Sequence, residues 1–151
     1  MDKIDRKILS ELQQNGRMTN VELSKRVNLS PTPCLDRVKR LEREGFITGY
    51  VANLDPDKLG YSLIVFVQIV LDRTTNDVFE KFSREIWRMD EVMECHVVAG
   101  GFDYLLKLRF SDMKSYRRFL GERLAILPGV SHTHTYLVME EVKNSTRLPL
   151  I

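Results

Sequence analysis

The chain is poor in the features that mark special classes of protein. Its only cysteines, Cys34 and Cys95, have no motif spacing, so neither a disulfide framework nor a cysteine-based metal site is expected. Both read as free, half-buried thiols of a reducing compartment. No apolar run approaches the roughly 18 residues that a membrane-spanning helix needs. The longest candidate, Leu63 to Leu71, is short and contains Gln68. The charged start Met1-Asp2-Lys3-Ile4-Asp5-Arg6 carries no signal peptide pattern. A Gly-rich phosphate loop is missing. Neither sign of charge is in large excess, the net value being +2 over 151 residues. These absences point to a cytoplasmic, globular protein with no membrane partner. Its 43% hydrophobic content is enough to build a core.

The small positive excess is concentrated. Residues 17 to 43 hold seven basic and three acidic side chains, while residues 61 to 151 hold twelve of each. A local polyanion contact fits that distribution better than a generally basic surface does. In the same region Asp2 can cap a first helix, with Ile4, Ile8, Leu9 and Leu12 recurring at helical spacing. Thr19-Asn20-Val21-Glu22 has the capping-box form and opens a short second helix to about Val27. Asn28-Leu29 is a tight connection. Ser30 caps a third helix, Pro31 takes its first position, and Gly45 ends it. This is the helix-turn-helix arrangement, with residues 30 to 44 as recognition helix and double-stranded DNA as partner.

On that third helix Cys34, Val38 and Leu41 fall on one side at 100° per residue, with Leu35 flanking. Thr32, Asp36, Lys39, Arg40 and Arg43 fall on the other, with Arg37 at its edge. The candidate DNA-binding set is Ser30, Thr32, Pro33, Asp36, Arg37, Lys39, Arg40 and Arg43. Arginine can read guanine, lysine and threonine can take phosphate, and the helix N-terminus favours an anion. Asp36 can accept from cytosine or orient Arg40. Residues 46 to 54 alternate enough to predict a strand or small hairpin, the place of a wing.

Asp55-Pro56-Asp57-Lys58-Leu59-Gly60 is a turn-rich linker. It separates a helix-turn-helix domain, residues 1–54, from a second domain, residues 61–151. There the spacing predicts a strand from Ser62 to Leu71, a helix from Asn76 to Met89 and a strand from Val92 to Ala99. A hairpin loop, Gly100-Gly101-Phe102-Asp103, leads to a strand from Tyr104 to Phe110. A helix capped by Asp112, a Pro128-Gly129 turn and a last strand from His132 to Val142 follow. The order β-α-β-β-α-β is a ferredoxin-like split fold, so the fold class is α+β. Both faces of the first strand are apolar, so the sheet face without helices needs a cover. A second copy, forming a symmetric homodimer, supplies it.

Other functions fit less well. His132 and His134 share one strand face, but no third metal ligand has a clear spacing, so neither metal nor cofactor is expected. Cys95 and His96 point to opposite faces, which is wrong for a nucleophile and its base. An RNA recognition motif shares the strand order, yet Tyr104-Leu105-Leu106-Lys107-Leu108-Arg109-Phe110 lacks its basic-Gly-aromatic signature. The chain is therefore not expected to be an enzyme. An architectural, nucleoid-type DNA-binding protein without an effector remains the alternative.

The sequence resembles the Lrp/AsnC family of transcriptional regulators, also called feast/famine regulators, over nearly its whole length. The likeness rests on Ile4-Asp5-Arg6-Lys7-Ile8-Leu9, Asn20-Val21-Glu22-Leu23-Ser24-Lys25-Arg26-Val27 and Leu29-Ser30-Pro31-Thr32-Pro33-Cys34. It continues through Arg40-Leu41-Glu42, Gly45-Phe46-Ile47, Gly100-Gly101-Phe102-Asp103-Tyr104 and Met139-Glu140-Glu141-Val142-Lys143. A charged N-terminal arm found in some members is not present. The resemblance implies a winged or modified helix-turn-helix and a ferredoxin-like domain that assembles dimers into octamers of four dimers. It implies regulation of amino acid metabolism through a free amino acid, leucine or similar, held between dimers near the hairpin loop. Carried to this chain, the effector set is Gly100, Gly101, Phe102, Asp103 and Tyr104, with Met113, Thr135 and Tyr136. Such a protein would be cytoplasmic and nucleoid-associated. Physically, the glycines would offer amides to a carboxylate and Asp103 would take the ammonium.

Overall fold

The computed structural model describes residues 1–150. The chain folds as two units. One is Met1–Asn53 joined by the C-terminal residues from Lys143 on, and the other is Leu54–Val142. The C-terminal tail thus leaves the domain to which its position in sequence assigns it. Gln13 explains why: its amide nitrogen donates to the Leu148 carbonyl at 3.2 Å, and its amide oxygen accepts from the Leu148 N–H at 2.7 Å. Leu150 packs against the first unit's core.

The first unit holds three helices, α1 (Lys3–Gln14), α2 (Asn20–Val27) and α3 (Pro31–Arg43). Reciprocal capping boxes start the first two, Asp2 with Asp5 and Thr19 with Glu22, so each N-terminus is closed by side chains four positions apart at most. Between α2 and α3 the chain reverses at Asn28, which is left-handed at φ 58°, a conformation asparagine tolerates better than most residues. The Leu29 N–H then reaches the Ser24 carbonyl at 2.9 Å. Ile8, Leu9, Leu23, Val27, Cys34 and Leu41 form the buried core between the helices.

After α3, Gly45 at φ +77° stops the helix, and residues 46 to 54 form neither strand nor hairpin. The alternation of those residues predicts a strand, but among the described residues of the unit there is no second strand to pair with it. The segment is instead held by side chains. Ile47 packs on the core, and the Tyr50 hydroxyl donates to Glu42 at 2.9 Å.

The second unit is a four-stranded sheet in the order β2-β3-β1-β4, built from β1 (Leu63–Leu71), β2 (Val92–Val97), β3 (Tyr104–Phe110) and β4 (Val130–Leu137). Every pairing is antiparallel. Helices α4 (Asn76–Ile86) and α5 (Met113–Phe119), the latter continued by a π-helical turn Leu120–Leu124, cover one face. That is the ferredoxin-like arrangement. The core alternates as a half-covered sheet must: Val65, Val67, Ile69 and Leu71 from β1 and Tyr104, Leu106, Leu108 and Phe110 from β3 meet Phe82, Ile86, Tyr116 and Phe119. Cys95 lies half-buried on the same side, and burial pushes its thiol up to about 11, which favours the neutral thiol over the thiolate.

Several element ends differ from the sequence expectation, among them β2, which closes at Val97 rather than Ala99, and β4, which opens at Val130 rather than His132. Helix α4 closes at Ile86, because the Arg88 and Met89 amides turn back three residues to Glu85 and Ile86. Met89 is inward by either geometry, so periodicity alone does not separate them. Strand β4 stops at Leu137 rather than Val142; beyond the end pair Val65 and Leu137 the Val138 N–H makes one further bond, to the Ile64 carbonyl at 3.1 Å.

The turn into β4 depends on Gly129, at φ +87°, where an added Cβ would lie 2.6 Å from Val78 Cγ1. Gly129→Ala is expected to destabilise the second unit by about 2–4 kcal/mol through backbone strain and overpacking together. Urea unfolding of the two forms measures this.

Candidate DNA interface and effector loop

Helix α3 carries the site, and α1 sets its position. Asp5 lies on the apolar stripe of α1 and is 1% exposed. Its carboxylate takes three polar contacts. Oδ1 accepts from Arg37 Nη1 at 2.8 Å, and Oδ2 accepts from Arg40 Nη2 at 2.7 Å and from the Asp2 N–H at 3.0 Å. The Asp5 amide in turn donates to Asp2 Oδ1 at 2.8 Å, and Arg37 Nη1 also reaches Asp2 Oδ2 at 2.7 Å. Burial pushes the Asp5 carboxyl up. The Asp2 amide, the Arg37 hydrogen bond and the Arg40 charge outweigh that, and it titrates below the ordinary carboxylate range. Asp2, held by the Asp5 amide and by Arg37, is lowered to about 2.

This network changes the reading of α3. Arg37 and Arg40, expected on the DNA-reading side, are anchored to α1 carboxylates. Their position follows from helix geometry, since Arg37 and Arg40 flank the buried Val38 and Leu41 stripe and Asp5 completes it across the seam. Arg40 is held by Asp5, not by Asp36. Thr32, Asp36, Lys39 and Arg43 stay exposed and make no hydrogen bond or ion pair among the described residues. Pro33 is exposed beside them.

The start of α3 also differs in detail. Ser30 has N-cap dihedrals but makes no capping hydrogen bond. An N-cap hydroxyl accepts from the second or third helical amide, and Pro33 removes the third. With Pro31 at the first position, Thr32 is left as the single N–H donor among the first three. The anion site expected at this helix end is therefore one amide and two hydroxyls, those of Ser30 and Thr32. The Asn20 side chain donates to the Pro31 carbonyl at 2.8 Å and fixes α2 against this end.

Asp2 and Asp5 are the residues that a reading of α3 alone misses. The signal was available: Asp5 stands one position after Ile4, three before Ile8 and four before Leu9, inside the buried stripe. A carboxylate at such a position needs a basic partner.

In the second unit the expected effector residues do not converge. The loop Gly100 to Asp103 joins β2 to β3 at the end of the sheet where β1 finishes. The Gly100 and Gly101 amides have no partner among the described residues. Asp103 is partly spent: its Oδ2 accepts from the Leu71 N–H at 2.7 Å, and its own N–H donates to the Ile69 carbonyl. That ties the hairpin to β1, so Asp103 is a loop anchor before it is an ammonium acceptor. Tyr104 is 2% exposed, stacked on Phe82 with ring centroids 4.4 Å apart, and belongs to the core. Met113 is exposed at the start of α5, beyond the far end of β3. Seven residues of strand place it about 20 Å from the loop. Thr135 and Tyr136 are neighbours on β4 and so point to opposite faces, Thr135 to the Tyr116 hydroxyl and Tyr136 to Gln68.

Comparison with known proteins agrees with this architecture. Residues 1–48 match the family model described as winged helix-turn-helix DNA-binding, and residues 64–148 match that of the Lrp/AsnC ligand binding domain. The chain belongs to the Lrp/AsnC family. It is 62% identical over 148 residues to the leucine-responsive regulatory proteins of Escherichia coli (strain K12) and Salmonella typhimurium, covering 98% of this chain and 90% of theirs. Among solved structures, the transcriptional regulator of Neisseria meningitidis in complex with L-Met superposes with a TM-score of 0.95 at 41% identity, covering 99% of this chain and 97% of that one. AsnC of E. coli superposes with a TM-score of 0.90 at 26% identity, covering 99% of each chain. As an Lrp/AsnC member, the chain is a DNA-binding transcriptional regulator with a ligand-binding second domain. Its relatives are regulators, not enzymes.

The folded pKa values of Asp2 and Asp5 lie below their ordinary value of 3.8. Their stabilising contribution is therefore complete above about pH 4 and is lost as pH falls through the folded values, toward pH 2 for Asp2. Asp5→Ala is expected to cost about 2–3 kcal/mol at pH 7, less than stranding a buried charge because both arginines can turn to water. Far-UV circular dichroism of both forms between pH 7 and about 2 measures it, and the variant is expected to lose part of the acid-dependent drop.

Proposed function

We propose that this Lrp/AsnC regulator docks α3 in the DNA major groove as a homodimer and answers to a free amino acid, leucine or a close analogue, bound between copies. One observation carries the DNA reading. Helix α3 presents Thr32, Pro33, Asp36, Lys39 and Arg43 outward and unpartnered, while its opposite side is locked onto α1. Thr32, Pro33 and Asp36, near the helix N-terminus, meet base edges, with Asp36 accepting from cytosine. Ser30, Lys39 and Arg43 take phosphates, and Arg37 and Arg40 reach the backbone from their anchored positions.

The effector reading is supported by separation. Within one chain the loop Gly100 to Asp103 and Met113 stand at opposite ends of the sheet. A ligand that touches both must lie where one copy's loop meets another copy's α5 and β4. The free Gly100 and Gly101 amides take the carboxylate, Phe102 lies beside them, and Met113, Thr135 or Tyr136 of a neighbouring copy complete the pocket. The helix-free sheet face, with Phe66, Val70 and Leu105 half-buried in a row, is the surface a second copy covers. The family resemblance supports the assembly of four such dimers. The leucine-responsive names of the relatives, and the L-Met complex of the Neisseria regulator, favour an apolar amino acid over the effector-free architectural alternative. A role in the cytoplasm, at the nucleoid, goes with DNA docking.

Titration calorimetry with each of the twenty amino acids is expected to give heat with leucine or methionine. Silence from all twenty, with no thermal shift, overturns the effector reading. Lys39→Ala is expected to weaken DNA binding about equally across sequences and to reduce the slope of log affinity against log salt by about 1. An unchanged affinity removes Lys39 from the interface.

A further inference from the structure

The two carboxylates that hold Arg37 are not equivalent. Asp5 is 1% exposed, and among the described residues its side chain has Arg37, Arg40 and the Asp2 amide as partners. Removing a guanidinium from it strands charge in the helix seam. Asp2 is 53% exposed and divides its two oxygens between two tasks. Oδ1 caps α1 by accepting the Asp5 N–H, while Oδ2 alone holds Arg37. Letting Arg37 go thus costs Asp2 one water-replaceable contact and leaves the helix cap in place.

Arg37 matches this division. A single nitrogen, Nη1, serves both carboxylates, at 2.7 Å and 2.8 Å. Its side chain is 28% exposed, so the rest of the guanidinium is open to water at the flank of α3. A phosphate offers Arg37 the same oxygens as a carboxylate, with more charge.

From this geometry we infer that Asp2 is an exchangeable counterion that sets the DNA affinity of α3: a phosphate takes its place on Arg37 when the helix docks, while Asp5 keeps the guanidinium in register. The inference rests on the docking of α3 proposed above. Without DNA, Asp2 neutralises one charge of the recognition surface. On docking, its carboxylate is released to water beside the phosphate backbone. Asp2 thereby lowers affinity for any duplex, and it lowers the salt dependence, because a charge already paired with Asp2 gains less from a DNA phosphate.

Asp2→Asn isolates the effect. Asparagine caps a helix as well as aspartate, so α1 keeps its start, and far-UV circular dichroism verifies it. The probe is a fluorescein-labelled duplex that the unaltered chain selects from a random-sequence pool, titrated between about 50 and 200 mM salt. Asp2→Asn is expected to tighten binding about two- to fivefold, the range of an exposed ion pair, and to steepen the slope of log affinity against log salt by about 1. In an Arg37→Gln background, which itself binds more weakly, the same change is expected to do nothing. Unchanged or weaker binding by Asp2→Asn overturns the inference. So does a gain that persists undiminished with Arg37→Gln, since Asp2 would then act by general repulsion. If Lys39→Ala weakens binding while Asp2→Asn does not tighten it, the docking of α3 stands and the exchange alone falls. If neither change has an effect, the docking falls with it.

Discussion

A single buried carboxylate organises the first unit. Asp5 accepts from the Asp2 amide and from two arginines of α3, so one anionic group ties the first helical turn of α1 to the middle of the recognition helix. The apolar core alone would hold the helices together but would leave α3 free to slide and rotate along its greasy stripe. Directional, charge-assisted hydrogen bonds fix that rotation. Which side chains of α3 face outward is then determined by α1, not by α3 alone. The desolvation of Asp5 is tolerated because three donors surround it, the condition on which a buried charge is admissible.

The second unit follows a different logic. Its helices cover one sheet face through alternate residues of β1 and β3, and the other face is left with half-buried apolar side chains beside Lys107 and Arg109. The loop Gly100 to Asp103 hangs from the end of the sheet, anchored by Asp103 to Leu71, the last residue of β1. Because Met113 stands at the other end, the proposed effector site would need complementary halves carried by different copies. An association equilibrium and a ligand equilibrium that share a surface are linked, each shifting the other by the same factor.

Much of this was legible in the residues. The cap at Asp2, the capping box at Thr19, the Asn28 connection and the Gly45 stop set the limits of the three helices almost to the residue. The β-α-β-β-α-β order followed from periodicity, and the antiparallel sheet agrees with it. What escaped has physical reasons. Ser30 looks like a cap, but Pro33 removes one of the two amides that an N-cap hydroxyl accepts from, and the hydroxyl makes no capping bond. Residues 46 to 54 alternate like a strand, but alternation describes one edge and a strand requires two. Arg37 and Arg40 sit on the polar side of a helical wheel, and a wheel drawn for one helix does not show the carboxylate another helix brings. Tyr104 belongs to the loop motif by sequence and to the core by parity along β3.

The docking of Gln13 onto the Leu148 backbone, with Leu150 in the adjoining core, bears on how such a protein can be rebuilt by recombination. The chain passes from one unit to the other after Asn53 and returns after Val142, so the DNA-binding unit is discontinuous in sequence. A single crossover that exchanged its first 53 residues would bring in a new α1 but keep the old tail. Residue 13 of the incoming segment would then have to supply a side chain that both donates to and accepts from the Leu148 backbone, as Gln13 does.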